Sequence, residues 1–270
     1  MNILDRIIAH KAQEVAQRKS QVSVASLEKS PLFNRQPVSF KAQLNDPRQT
    51  GIIAEFKRKS PSKGIINDRA DVSETTAGYA KAGASALSVL TDTEFFGGTS
   101  EDLTQARGGV SCPILRKDFM IHEYQVLEAR AMGADLILLI AASLTPAQVQ
   151  SLGRFAQNLG LEVLLEVHNQ EELEQTLCPY VDAIGVNNRN LKDFTVDVSL
   201  SEELARLIPD EFVKVSESGI SDPATIVELR KYGYRGFLMG ENFMKHTHPA
   251  EACRAFIQQL KSATEMVKLK

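Results

Sequence analysis

The residues able to move protons recur at one kind of place in this chain, the polar end of a short apolar run. Glu55 and Lys57 close and follow IIAEF, Lys117 ends PILRK, Glu166 sits inside LLEVH, Asn187 and Arg189 belong to GVNNRN, and Glu217 and Ser218 belong to SESGI. A charged side chain inside an apolar strand is unfavourable unless it is paired or used, so runs ending alike point to one convergent acid–base site. Glu55 and Lys57 lie two apart and share a strand face; they read either as a buried ion pair or as a proton-handling couple. Lys117 reads as a solvated rim lysine or as a member of the convergent site, with Arg116 facing the other way. Glu166 has apolar neighbours, where desolvation is expected to raise its pKa toward a range useful for carrying protons; the competing reading pairs it with a lysine of the next strand.

Two glycine-containing strand ends, SESGI (Ser216–Ile220) and LMGEN (Leu238–Asn242), come last in the chain. The amides around Ser218-Gly219 and Gly240-Glu241 could cradle a phosphate, or mark ordinary turns. The basic stretch KRKSPSKGIINDR (Lys57–Arg69) reads as a solvated charge run or as a mobile lid carrying cations over an anionic substrate. His246 and His248 lack a third ligand and read as a helix start beside Pro249, and His122 and His168 as rim hydrogen-bonders, so no metal is expected.

The elements that must position these residues repeat. Eight β-rich runs occur, at Ile52–Phe56, Ala86–Thr91, Pro113–Lys117, Asp135–Ile140, Leu161–Val167, Asp182–Asn187, Phe212–Ser216 and Gly236–Met239, with ends about 26 residues apart. Helical patterns fit between and after them, at Val72–Ala82, Glu101–Arg107, Glu123–Met132, Pro146–Leu159, Gln170–Leu177, Leu200–Ile208, Pro223–Tyr232 and Pro249–Ala263. Thr145-Pro146, Asp222-Pro223 and His248-Pro249 start helices, and Gly83, Gly133, Gly160 and Gly233 follow them. Eight βα units can close as a barrel or lie open as a doubly wound sheet. The absence of GxGxxG after the first strand and the count of eight favour an α/β fold of the (β/α)8 TIM-barrel type. Residues 1–45 would form a helical N-terminal extension, with helices over Asn2–Lys19 and near Val24–Lys29, packed on a single barrel domain spanning 1–270.

The 270 residues carry a net charge of -3, which gives no global attraction for nucleic acid or anionic membranes. No run of about 18 apolar residues is present, and three scattered cysteines form neither a disulfide framework nor a zinc pattern. A cytoplasmic setting, no nucleic-acid partner and no membrane partner are therefore expected.

The motifs AEFKRKSPSKG, FFGGTSEDL, LRKDF, LLEVH, IGVNNRNL, SESGI and LMGENFM, in this order, resemble the indole-3-glycerol-phosphate synthase family across nearly the whole chain. The resemblance implies a (β/α)8 barrel that converts 1-(2-carboxyphenylamino)-1-deoxyribulose 5-phosphate into indole-3-glycerol phosphate, carbon dioxide and water in tryptophan biosynthesis, with no cofactor. It implies Lys117 as the donor to the carbonyl oxygen and Glu166 in the dehydration half. Glu55 and Lys57 assist, with the division of proton transfers between Lys57 and Lys117 left open. Asn187, Arg189 and Glu217 would meet substrate hydroxyls and carboxylates, and Ser218, Gly219, Gly240 and Glu241 the phosphate, the Glu241 side chain turned outward. Ser60, Pro61, Phe96, Phe119 and Leu191 would face the substrate, the last four as an apolar wall. Where relatives often read Gly-Glu-Ser, this chain has Asn242. A monofunctional monomer acting on a small phosphorylated molecule is expected. The rivals are a phosphoribosylanthranilate isomerase-like phosphate-binding barrel, which would need a cysteine at a strand end, and a non-catalytic sugar-phosphate-binding barrel.

Overall fold

The computed structural model describes residues 2–190 and 193–268. Its strands are β1 (Ile52–Phe56), a two-stranded hairpin β2 (Lys59–Ser60) and β3 (Gly64–Ile65), then β4 (Ala86–Leu90), β5 (Ile114–Lys117), β6 (Leu136–Ile140), β7 (Glu162–Val167), β8 (Ala183–Asn187), β9 (Val213–Glu217) and β10 (Tyr234–Met239). Without the hairpin, the other eight pair in parallel and close on themselves, β10 returning to β1. The open doubly wound alternative is thereby excluded. The eight runs read as near-continuous apolar segments because both faces are covered, by the barrel interior and by the helix layer.

The helices are α1 (Ile3–Gln21), α2 (Val24–Leu27), α3 (Phe40–Asn45), α4 (Val72–Ala82), α5 (Ser100–Gly109), α6 (Glu123–Met132), α7 (Pro146–Asn158), α8 (Gln170–Thr176), α9 (Ser199–Ala205), α10 (Pro223–Lys231), α11 (Glu241–Met244) and α12 (Pro249–Lys268). α9 stops three residues before the expected end and α12 runs five beyond it. α3, α11 and the hairpin were not expected, because elements of one turn or two residues carry no readable period. α3 starts where the Ser39 hydroxyl accepts from the Ala42 amide, and it sends Phe40 and Leu44 into the barrel's inner core with Ile53, Leu136 and Val215.

At the other end, α1 buries Leu4, Ile7, Lys11 and Val15, one stripe at helical spacing. Lys11 is fully buried, its ammonium 2.8 Å from Asp92 and 2.9 Å from Asp118. The extension thus reaches both ends of the barrel.

Alternation along β5 separates two charged layers. Arg116 faces the helices, fully buried, donating to Thr91 Oγ1 (3.0 Å), the Gln125 carbonyl (2.7 Å) and Asp118 Oδ2 (3.0 Å). Lys117 faces inward. At the opposite end of the barrel, buried Asp135 accepts from Arg35 (2.5 Å), Arg107 (2.6 Å) and the amides of Val38 (2.7 Å) and Ile114 (2.8 Å). Asp135→Ala leaves two guanidinium groups and two amides short of an acceptor. It is expected to cost about 3–5 kcal/mol in urea unfolding, and a loss under 1 kcal/mol would contradict that ledger.

Candidate active site

At the C-terminal ends of the strands, Lys117 Nζ stands 2.9 Å from Glu166 Oε2 and 2.9 Å from Glu217 Oε2. Three strands supply the trio, β5, β7 and β9, each from its last two residues or its end. Asn187 Nδ2 donates to the other Glu166 oxygen at 3.0 Å, and Asn187 Oδ1 accepts from Ser218 Oγ (2.9 Å) and the Arg189 amide (3.1 Å). Glu55 Oε1 meets Lys57 Nζ at 2.7 Å, and Ser88, its register partner on β4, donates to Glu55 Oε2 at 3.1 Å. Gly185 leaves room for the trio, since a Cβ there would lie 2.2 Å from Glu217 Oε1.

Burial disfavours every one of these charges, and the neighbours decide the outcome. For Lys117 desolvation is outweighed by Glu166, Glu217 and Glu55, and its pKa is raised. Desolvation of Glu55 is likewise outweighed, by Lys57 and Lys117, and its pKa falls. The expectation of a raised Glu166 is overturned: Lys117, His168 and the Asn187 amide more than offset its burial and hold it down. The lysine comes from two strands away, not from the next strand. Glu217 is the raised carboxyl, because burial and the nearby Glu166 and Glu55 charges outweigh its one cation. The reading of Lys117 as a solvated rim residue also falls, since its side chain is only 15% exposed.

The apolar wall forms beside this trio. The Phe96 and Phe119 rings lie 5.8 Å apart at 39°, and with Ser60 and Pro61 they line a cavity of about 160 Å³ that also contains Lys117 and Glu166. Among the further apolar contributors that sequence reading missed are Ile3, Leu4 and Ile7 of α1. Their helical stripe was visible, but nothing local said that it faced the mouth. Leu191 lies outside the described residues.

A second cavity of about 390 Å³ adjoins, bordered by Lys57, Lys63, Arg189, Ser218, Gly219, Gly240 and Lys245. Lys245 was missed because it caps the C-terminal end of α11, a helix too short to foresee. Ser218 and Gly219 both take left-handed backbone, φ 68° and 78°; such strain at a non-glycine clusters at ligand sites. Glu241 does not turn outward as expected. Its carboxylate faces the mouth, 3.3 Å from Lys63 and 3.8 Å from Arg189, because two cations there attract it.

The Lys57–Arg69 stretch is neither freely solvated nor loose throughout. Arg58 makes a two-pronged ion pair with Asp102 (2.6 and 2.9 Å) and Asn67 Nδ2 donates to the carbonyls of Met244 and His246 (3.0 and 3.1 Å). Between those anchors the hairpin tip carries Ser60–Gly64 over the opening. His246 and His248 are exposed in the turn before α12. His122 caps α6 by accepting from the Tyr124 amide at 3.0 Å. His168 is no rim residue: it is packed between Glu166 (3.4 Å) and Glu172 (3.2 Å).

A closed parallel barrel with proton-bearing side chains converging at the C-terminal mouth defines a (β/α)8-barrel of the enzyme type. Comparison with known proteins refines the class. Residues 4–256 match the family model described as indole-3-glycerol phosphate synthase. The chain is 48% identical over 265 residues to the indole-3-glycerol phosphate synthase of Bacteroides thetaiotaomicron, covering 96% of this chain and 99% of that protein. It is 42% identical over 251 residues to the one from Bordetella pertussis, covering 92% and 96%. A solved structure described as "Native KDPGal structure" superposes with a TM-score of 0.58 at 14% identity, over 81% of this chain and 96% of that one, a likeness of fold alone. The chain belongs to the indole-3-glycerol phosphate synthase family, carboxy-lyases of tryptophan biosynthesis. No helix among the described residues is long and apolar enough to cross a membrane.

Proposed function

We propose that this chain closes the indole ring of 1-(2-carboxyphenylamino)-1-deoxyribulose 5-phosphate, with Lys117 as the acid on the carbonyl oxygen. The observation that carries this reading is the Lys117 ammonium held between two buried carboxylates at 2.9 Å each. The anthranilate ring lies against Phe96, Phe119 and Pro61, bringing its ring carbon toward C2′ of the ribulose chain in a near-attack arrangement. Lys57 pairs with the substrate carboxylate until it leaves as carbon dioxide, restoring aromaticity. Once Lys117 has given up its proton, the charge that keeps Glu166 ionised is gone. Glu166 then binds a proton more tightly and delivers it to the departing hydroxyl, while Glu55 takes the proton from the carbon next to nitrogen. Asn187, Arg189 and Glu217 orient the hydroxyls. Ser218, Gly219, Gly240 and the Glu241 amide face the phosphate side, where Lys63 and Lys245 supply positive charge, and Ser60 lies beside the aromatic wall.

The setting we propose is a cytoplasmic monomer of one domain, 1–270, with a small-molecule substrate and no nucleic-acid partner. The net charge of -3 supports the absence of a nucleic-acid partner. Light scattering at a dimer mass would overturn the monomer.

Incubation with the substrate should produce indole fluorescence, which stands out because the chain contains no tryptophan; no rise and no carbon dioxide would sink the assignment. Glu166→Gln should release carbon dioxide in a single turnover well before indole appears, with dehydration slowed roughly 10²-fold. Simultaneous slowing of both signals would place Glu166 earlier in the sequence.

A further inference from the structure

The proposed reaction leaves the site one proton short in every turnover. The carbonyl oxygen and the departing hydroxyl each take a proton, deprotonation beside the nitrogen returns one, and the carboxylate leaves as carbon dioxide. With substrate seated in the first cavity as proposed above, a path from another side would let the missing proton arrive during the turnover.

His168 occupies that side. Its Nε2 lies 3.4 Å from Glu166 Oε1, on the carboxylate whose other oxygen meets Lys117. This nitrogen is buried and makes no hydrogen bond among the described residues. Its Nδ1 is 3.2 Å from Glu172 Oε2, and that same oxygen accepts the His168 backbone amide at 2.8 Å, which fixes the ring's position. Glu172, in the first turn of α8, is 21% exposed. Both side chains border a further cavity of about 630 Å³, also lined by Asn188, Asp197 and Glu203, which meets the first cavity at Leu4, Asn187 and Arg189 but does not include Phe96 or Phe119.

We propose that His168 is a positioning residue that orients Glu166 and returns the missing proton to it from this neighbouring cavity, an inference that rests on the role assigned to Glu166 above. In the transfer the Nε2–H bond breaks and an Oε1–H bond forms, leaving a neutral imidazole with its proton on Nδ1; Nε2 takes its second proton from a solvent acid when the ring swings out toward the cavity between turnovers. The charges facing the ring are Glu166 from β7, Glu172 from α8 and Glu217 from β9, while Arg189, Asp197 and Glu203 edge the cavity beyond. Burial works against the imidazolium, but Glu172, Glu166 and Glu217 outweigh it and raise the His168 pKa, so the ring keeps its proton to higher pH than a free imidazole does.

The test measures parent turnover on the carboxyphenylamino-deoxyribulose phosphate first, because a parent that forms no indole fails the functional assignment rather than this one. With an active parent, His168→Gln should lower kcat by about tenfold or more with KM changed less than about twofold, and added imidazole at constant ionic strength should restore part of the rate. A kcat within twofold of the parent, or a loss that imidazole leaves untouched, overturns the proposal. Should His168→Gln fold poorly, Glu172→Gln serves: removing the carboxylate that raises His168 should move the alkaline limb of the kcat profile to lower pH. An unmoved limb overturns the proposal equally.

Discussion

Lys117→Met should reduce kcat by roughly 10²–10⁴-fold while binding of the product's phosphate end changes by less than tenfold. Lys117 is the only cation within hydrogen-bond reach of both Glu166 and Glu217 among the described contacts, whereas the phosphate side is bordered by Lys57, Lys63, Arg189 and Lys245. Methionine keeps the length and apolar stem and removes only the charge and the proton. Stability should respond in a pH-dependent way. Without the ammonium, nothing of similar strength offsets the burial of the two carboxyls, so Glu166 rises above its ordinary 4.5 and Glu217, already raised, rises further. A carboxyl raised on folding favours the folded state as pH falls, and penalises it as pH climbs from the unfolded value through the folded one. The melting-temperature gap between parent and variant should therefore be widest near pH 8 and narrow toward pH 5. A gap constant over that window would show that lost packing, not charge, is responsible.

Lys11→Met should destabilise the protein by about 3–5 kcal/mol, the scale on which a buried ion cluster responds to loss of its cation. Lys11 is fully buried between Asp92 and Asp118, and burial of its ammonium is outweighed by those two charges, which raises its pKa. A raised lysine contributes fully below its ordinary value of 10.5 and loses that contribution as pH rises through the folded value. Asp118 is held well below the usual carboxylate range because Arg116 and Lys11 overcome its burial, so its contribution is present above about pH 4 and fades in acid. The damage should also reach the substrate wall. Asp92 Oδ1 accepts the amides of Phe95 and Phe96 (2.8 and 3.2 Å), and Asp118 Oδ1 accepts that of Phe119 (2.8 Å). KM is expected to rise at least severalfold in Lys11→Met. Urea unfolding and steady-state kinetics read the two effects separately, and an unchanged KM with lost stability would confine Lys11 to an anchoring role.

The barrel was legible because its signal is periodic. Strand runs such as IIAEF and DLILLI fall within a residue or two of β1 and β6, and Gly83, Gly133, Gly160 and Gly233 all take the left-handed backbone that ends a helix. Strand alternation also made the inward Lys117 and outward Arg116 readable as a pair. What could not be read depends on contacts between distant segments. Lys11 interrupts an apolar stripe, and its reason lies in two aspartates from the loops after β4 and β5. The direction of the Glu166 shift hangs on a lysine from β5, a histidine two residues on and an amide from β8, none of which local hydrophobicity encodes. His168 looked like a rim hydrogen-bonder because its partner Glu172 belongs to the next helix. Glu241 was placed outward on the logic of an anion beside a phosphate, and that logic omitted the cations opposite.

The back-to-back arrangement of Arg116, Lys117 and Asp118 has a bearing on how the barrel assembles. A one-residue slip of β5 would turn every side chain to the opposite face. It would offer the mouth an arginine, which does not surrender its proton near neutrality, and would strand Lys117 among the helices beside Glu128. Such a misthreaded chain could not be a weakened catalyst; it would be chemically silent and also stripped of the anchor that α1 needs. One strand thus works as an assembly check, in which the order that permits catalysis and the order that closes the shell are the same order, and errors are eliminated by misfolding before they can be expressed as a poor enzyme.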